Sequence, residues 1–277
     1  ILTTIAPLYS FAKNIARDLA DIENLLSAGA GPHEYSFSPA DIKKIKNAHI
    51  LIKNGANLEP GLDKVIASSM EIPAINGKVK LTVVDTSSGI QLLNNDPHIW
   101  LSPKNAIIQV TNIMDSLVKA DPDRSKRYRE NAGEYIKRLE KLDAYITEEV
   151  KTWRRKEFVS FHSAFIYFAG DYGLKQVAVI QEFPETPPSP KHIASVIETI
   201  KKTGVKAIFS EPQTTHKIVE SIAGDLDIQI YILDTLETRE LYPVRKKAST
   251  ELFNGAYPEW YEDKMMANLA VLKKALN

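Results

Sequence analysis

Tyr128, Ala132, Tyr135, Leu139, Leu142, Ile146, Val150 and Trp153 recur at alternating steps of about three and four residues, and charged side chains crowd the positions between them. This is the apolar stripe of one continuous helix. At 1.5 Å per residue, about thirty residues make a rod on the order of 45 Å, longer than one small domain needs. The stripe predicts a rigid helix over 122–154 joining an N-terminal lobe, 1–121, to a C-terminal lobe, 155–277. Spacing alone leaves open a long helix packed along a single domain.

On both sides of the stripe the chain alternates strand-like and helix-like segments. In the first half, strands are expected at Ile1–Ile5, Ile22–Leu26, His49–Lys53 and Lys80–Val84, with helices at Tyr9–Ala20, Pro39–Asn47, Gly61–Ser69 and Pro103–Lys119. In the second, strands at Glu157–Phe161, Gln176–Ile180, Lys206–Phe209 and Gln229–Leu233 are separated by helices at Ala164–Asp171, Lys191–Lys202 and Thr215–Gly224. A last helix opens at Tyr257-Pro258. Such alternation predicts an α/β fold in which each lobe is a parallel sheet flanked by helices. The 277 residues, 44% of them apolar, suffice for two cores.

Composition narrows the chemistry. Thirty-five basic residues balance thirty-five acidic ones, so net charge offers no footprint for nucleic acid or an anionic membrane. With no cysteine, disulfides, thiol nucleophiles and thiolate metal sites are excluded, and a transition-metal site must use imidazole and carboxylate. No apolar run approaches the roughly 18 to 20 residues of a membrane span, and no signal peptide is visible. The sequence opens directly into a strand-like run, as a trimmed product would.

Histidines stand where such folds bind ligands. His33 lies in a turn, Gly31-Pro32-His33, ahead of a helix start written Ser38-Pro39-Ala40-Asp41, and His98 repeats the design in Pro97-His98 followed by Ser102-Pro103. His162 and Asp234 each follow an apolar strand, as His33 does, and in open α/β sheets ligands bind beyond the carboxyl ends of the strands. The four lie roughly 65 to 70 residues apart, so any meeting must come from the fold, in a crevice between lobes. Three neutral imidazoles and one carboxylate make a closed tetrahedral set suited to Zn²⁺, and Mn²⁺ accepts them with a wider shell. Glu211 also follows a strand and is read as a carboxylate supporting a ligand, or as an alternative to Asp234. Glu34 is expected to point away, His49 to open a strand, and His192 and His216 to face solvent.

Gly-Pro-His-Glu-Tyr with Ser-Pro-Ala-Asp, Asp-Pro-His-Ile-Trp-Leu-Ser-Pro, Phe-His-Ser-Ala-Phe, Phe-Ser-Glu-Pro-Gln and Leu-Asp-Thr-Leu occur in that order over essentially the whole chain. In these motifs the sequence resembles the zinc and manganese solute-binding proteins of ABC importers. The resemblance implies two Rossmann-like lobes joined by one long helix, metal ligands at His33, His98, His162 and Asp234, and no enzymatic activity. It further implies a monomer outside the cytoplasm, lipid-anchored in its precursor, that captures Zn²⁺, or alternatively Mn²⁺, and delivers it to a membrane permease. Two features depart from the family pattern: Asp85 to Asn95 holds no histidine where many zinc members carry a His-rich loop, and Thr235 stands where proline is common. The first weakens zinc against manganese, whereas histidine at 162, where manganese binders often have Glu, favours zinc.

Two other readings compete. A zinc hydrolase would keep three protein ligands and a water, with Glu211 or Glu34 as general base. A binding protein for an organic solute would use the histidines as hydrogen-bonding groups. An adhesin-like role is compatible with metal capture, and the sequence is silent on it.

Overall fold

The computed structural model describes residues 1–27, 29–70, 81–181, 187–212, 217–238 and 259–277. By internal contacts the chain divides into two compact units, Ile1–Lys141 with Leu236–Tyr261, and Leu142–Thr235 with Glu262–Asn277.

In the first unit β1 (Leu2–Thr3), α1 (Ala6–Ala16), β2 (Glu23–Asn24), α2 (Pro39–Asn47), β3 (Ile50–Lys53), α3 (Leu62–Met70), β4 (Thr82–Asp85) and α4 (Pro103–Ala120) follow in turn. The strands form one parallel sheet in the order β2-β1-β3-β4. α5 (Ser125–Lys151) comes next and crosses the boundary between the units. The second unit then repeats the plan with β5 (Glu157–His162), α6 (Ile166–Tyr172), β6 (Lys175–Gln181), α7 (Pro190–Thr203), β7 (Ala207–Ser210), α8 (Lys217–Leu226), β8 (Gln229–Ile232) and α9 (Trp260–Leu276). The expected opening of the last helix, Tyr257-Pro258, lies outside the described residues. The sheet of this unit is again parallel, in the order β6-β5-β7-β8. Each sheet therefore reverses its direction of strand addition once, between β1 and β3 and between β5 and β7, and such a switch point opens a crevice at the carboxyl ends of the strands. Among the described residues no helix is long and apolar enough to cross a membrane.

One helix start is used three times. Ser38, Ser102 and Ser189 each precede a proline in the first turn, and their hydroxyls accept from the backbone N–H of Asp41, Asn105 and His192 at 3.3, 3.1 and 3.2 Å. Proline lacks the N–H that would be unpaired there, and the serine satisfies one that remains. Gly173 and Gly204 end α6 and α7 in the left-handed region, at φ 67° and 68°.

The expected strands Ile1–Ile5 and Ile22–Leu26 shrink to two residues each. Their backbones still pair beyond the ladder, with Leu25 N–H donating to Thr3 O at 2.7 Å and Thr4 N–H to Ile52 O at 3.1 Å. Ile5, Leu25 and Leu26 are all buried. The apolar run reports burial, which continues after regular pairing ends.

All eight residues of the long stripe are buried, although Trp153 lies just past the end of α5. Twenty-seven residues give the helix a length of about 40 Å. In the first unit Asn131 Nδ2 donates to Ile15 O at 2.9 Å, Arg138 Nη1 to Asn14 Oδ1 at 3.1 Å, and Tyr135 packs near Phe11. In the second, Asp143 Oδ1 accepts from Tyr172 Oη at 2.8 Å and Glu149 pairs with Lys273 at 2.7 Å. Fully burying each aliphatic side chain of the stripe contributes about 1.5–3 kcal/mol, and these polar contacts fix its orientation. The core of the second unit gathers Val159, Phe161 and Ile180 from its strands with Val196, Ile200, Val219 and Ile222 from α7 and α8.

Candidate metal centre

His33 and His98 come from two loops of the first unit, each delivered just ahead of a helix. The loop of His33 is tied at its far end to α2. Asp41 accepts from Ser38 N–H at 2.9 Å, from Ser38 Oγ at 2.7 Å and from Tyr35 Oη at 3.0 Å. Burial works against the Asp41 charge, but the bonds from Ser38 and Tyr35 outweigh it and hold the carboxyl below its usual range.

His98 is held more tightly. Asp96 Oδ1 lies 2.8 Å from both the backbone N–H and the Nδ1 of His98, so a single carboxylate oxygen turns the backbone and backs the ring. The imidazole is 2% exposed and stands edge-on to the buried indole of Trp100, with ring centroids 5.2 Å apart. Trp100 is in turn fixed where its carbonyl accepts from Tyr261 Oη at 2.7 Å. With Nδ1–H donating to Asp96, the tautomer is set and Nε2 becomes the ligand atom, as in carboxylate–histidine–metal arrangements.

Glu237 supplies the carboxylate at this point. Leu236 adopts φ 61°, a left-handed conformation rare for leucine, and the chain turns there to bring Glu237 inward, where it is 8% exposed. Glu237 Oε1 lies 2.9 Å from His98 Nε2 and 3.4 Å from His33 Nε2, and the two Nε2 atoms are 3.1 Å apart. For metal–ligand distances of 2.0–2.1 Å a tetrahedron has edges of about 3.3 Å. The three atoms thus approximate one triangular face of a tetrahedral zinc shell. Burial opposes charge on His98, yet the hydrogen bonds to Asp96 and Glu237 prevail and its pKa is pushed up to about 9.

In the second unit His162 ends β5 at the switch point of its sheet, 3% exposed, with Nδ1 3.1 Å from Glu211 Oε1. Glu211 follows β7, the strand next to β5, and sets its carboxylate beside His162.

Asp234, the carboxylate expected as the fourth ligand, is engaged elsewhere. Its Oδ2 is 2.8 Å from Lys264 Nζ, its N–H donates to Asn268 Oδ1 at 2.9 Å, and its carbonyl accepts from Asn268 Nδ2 at 2.7 Å. It anchors the start of the segment to α9, and Glu237, three residues on, reaches His33 and His98. Glu34 and His49 are exposed. His192 does not face solvent as expected; its Nε2 lies 2.9 Å from Val179 O. His216 lies outside the described residues.

Two candidate residues escape the sequence reading. Asp96 stands in the Asp-Pro-His motif, and an aspartate two residues before a turn histidine is placed to cap its N–H. Glu237 carries no such signal, since Leu-Asp-Thr-Leu-Glu offers two carboxylates and only the backbone conformation at Leu236 separates them.

Residues 1–275 match the family described as zinc-uptake complex component A, periplasmic. The chain belongs to that family. Among its relatives, the zinc-binding protein AdcA of Streptococcus pyogenes is 32% identical over 258 residues, which cover 86% of this chain and 50% of AdcA. The high-affinity zinc uptake system protein ZnuA of Bacillus subtilis is 31% identical over 256 residues, 86% of this chain and 78% of ZnuA. The chain thus spans about half the length of AdcA and most of ZnuA. Among solved structures, the Zn(II)-bound ZnuA-like domain of Streptococcus pneumoniae AdcA superposes with a TM-score of 0.80 at 30% identity, over 99% of this chain and 97% of that one. Family membership accounts for two α/β lobes of like topology with a long helix between them in sequence.

Proposed function

We propose that this chain captures Zn²⁺ outside the cytoplasm and delivers it to the membrane permease of an ABC importer. His33 Nε2, His98 Nε2, a ring nitrogen of His162 and one oxygen of Glu237 serve as ligands. The ion is cargo, and no bond of a substrate is made or broken. The observation that carries the reading is the triangle of donor atoms formed by His33, His98 and Glu237, with edges of 2.9, 3.1 and 3.4 Å. His162, buried at the end of β5 with the Glu211 carboxylate 3.1 Å from its Nδ1, completes the set. Membership in a zinc-uptake family and likeness to a Zn(II)-bound domain support the cargo and the delivery route.

Three imidazoles and one carboxylate favour Zn²⁺, while Mn²⁺ prefers more oxygen donors. Glu237 takes the role that the sequence motifs give to Asp234, and Glu211 that of a supporting carboxylate. Against the hydrolase reading, Glu34 is exposed. The protein acts as a monomer, and its precursor is held to the membrane by lipid, as the sequence resemblance implies.

Calorimetric titration of the chelator-stripped chain with Zn²⁺ and Mn²⁺ tests the proposal. One Zn²⁺ per chain at a nanomolar constant, about 12 kcal/mol, with Mn²⁺ much weaker, is the expected result. Absence of stoichiometric binding by either ion overturns it.

A further inference from the structure

The turn after β3, Asn54-Gly55, has a role that closing a strand does not require. Glu59, almost wholly buried, accepts from Thr4 Oγ1 at 2.6 Å and from Asn54 N–H at 2.7 Å through Oε1, and from Gly55 N–H at 3.3 Å through Oε2. One carboxylate thereby fixes the backbone of the turn against the end of β1. The Asn54 side chain, 0% exposed, then reaches out of the turn. Its Nδ2 donates to Gly55 O at 3.1 Å and to Pro97 O at 2.9 Å, while its Oδ1 accepts from Gln109 Nε2 at 3.1 Å. Two carbonyl oxygens on one side and an amide donor on the other leave only one orientation for the Asn54 amide. Gln109 Nε2 is itself held by Thr86 Oγ1 at 2.9 Å.

Pro97 immediately precedes His98. Its carbonyl is the near end of the peptide unit whose N–H donates to Asp96, so Asn54 and Asp96 grip opposite ends of the same peptide. Asp96 is local to the loop, whereas Asn54 is the link from this peptide to the sheet. We propose that Asn54, braced by Glu59 and Gln109, is a positioning residue that sets metal affinity by fixing the Pro97–His98 peptide, and with it His98 Nε2, relative to the sheet. The inference rests on the metal-capture reading. Ligand position matters there because a rigid set binds without first paying to order its donors, and partners behind a ligand typically govern about 10- to 100-fold in affinity.

The experiment uses the full chain and measures Zn²⁺ affinity by competition with a chromophoric chelator, and the visible d–d spectrum of the Co²⁺-substituted protein. Asn54→Asp keeps the volume and the acceptor for Gln109 but puts an oxygen where Pro97 O needs a donor. Asn131→Ala removes a buried polar bond elsewhere in the same unit, from Nδ2 to Ile15 O at 2.9 Å, and touches neither Asn54 nor its braces. Asn54→Asp is expected to lose about 10- to 100-fold in Zn²⁺ affinity and to alter the Co²⁺ spectrum. Asn131→Ala is expected to lower the melting temperature with affinity and spectrum as in the wild type. Asn54→Ala should match Asn54→Asp, and should it not fold, the near-isosteric variant still decides. Wild-type affinity and spectrum in Asn54→Asp, or an equal loss in Asn131→Ala, overturns the inference while leaving metal capture standing. A wild-type chain that holds no ion overturns both.

Discussion

Glu237 and Asp234 are three residues apart and make different contacts. Replacing each in turn by its amide removes one charge with little change of shape. Glu237 Oε1 lies at 2.9 and 3.4 Å from the two Nε2 atoms, close to the edges of a zinc tetrahedron, so Glu237→Gln replaces the one charged oxygen donor of the set. A nanomolar site is worth about 12 kcal/mol, or about 3 kcal/mol for each of four donors, and loss of one donor corresponds to about 100-fold. Asp234→Asn leaves its backbone bonds to Asn268 intact and removes the ion pair with Lys264, whose side chains are 19% and 12% exposed. That pair contributes about 1 kcal/mol to folding and nothing to the ligand set. Competition between each variant and a calibrated chelator for Zn²⁺, with a thermal melt of the metal-free protein, separates the two effects. Glu237→Gln should lose about 100-fold in affinity with a nearly unchanged melt, and Asp234→Asn should show the reverse. If Asp234→Asn instead abolishes tight binding and Glu237→Gln binds normally, the carboxylate is misassigned and the reasoning from the triangle fails.

His98, with its pKa raised to about 9 in the metal-free chain, must give up a proton when Zn²⁺ binds at neutral pH. Calorimetry in buffers of different ionisation enthalpy should count about one proton from this group at pH 7, and affinity should climb about tenfold per pH unit toward pH 9 and then level off. The same shift stabilises the metal-free fold fully below pH 6.5, and this contribution is lost as pH rises through about 9, which melts across that range will show. Gly55 sits at φ 80°, and a Cβ there would overlap the Asp85 carboxylate. Gly55→Ala must therefore displace Asp85 and strain the turn, lowering stability by about 1–3 kcal/mol in a denaturant titration, while an unchanged midpoint would contradict the close approach.

The architecture is legible in the sequence because its signals are local and redundant. The stripe from Tyr128 to Trp153 names buried residues along the whole long helix, and the three Ser-Pro pairs mark the starts of α2, α4 and α7. The histidine positions are legible for the same reason, since turn and strand-end residues announce themselves in sequence. What stays hidden depends on contacts between distant segments. Glu237 faces His33 and His98 after a left-handed backbone at Leu236, while Asp234 is held by Lys264 and Asn268, some thirty residues away. His192 reads as a solvent-facing residue of a first turn, yet a carbonyl of β6 waits beside its ring. A strand end tells where a ligand can bind, and the choice between neighbouring carboxylates belongs to tertiary structure.

X-ray absorption at the zinc edge of the loaded protein tests the ligand set most directly. Four nitrogen or oxygen scatterers at about 2.0–2.1 Å, with the outer-shell pattern of three imidazoles, are expected for His33, His98, His162 and Glu237. A shell of five or six light atoms with one imidazole or none would contradict the account.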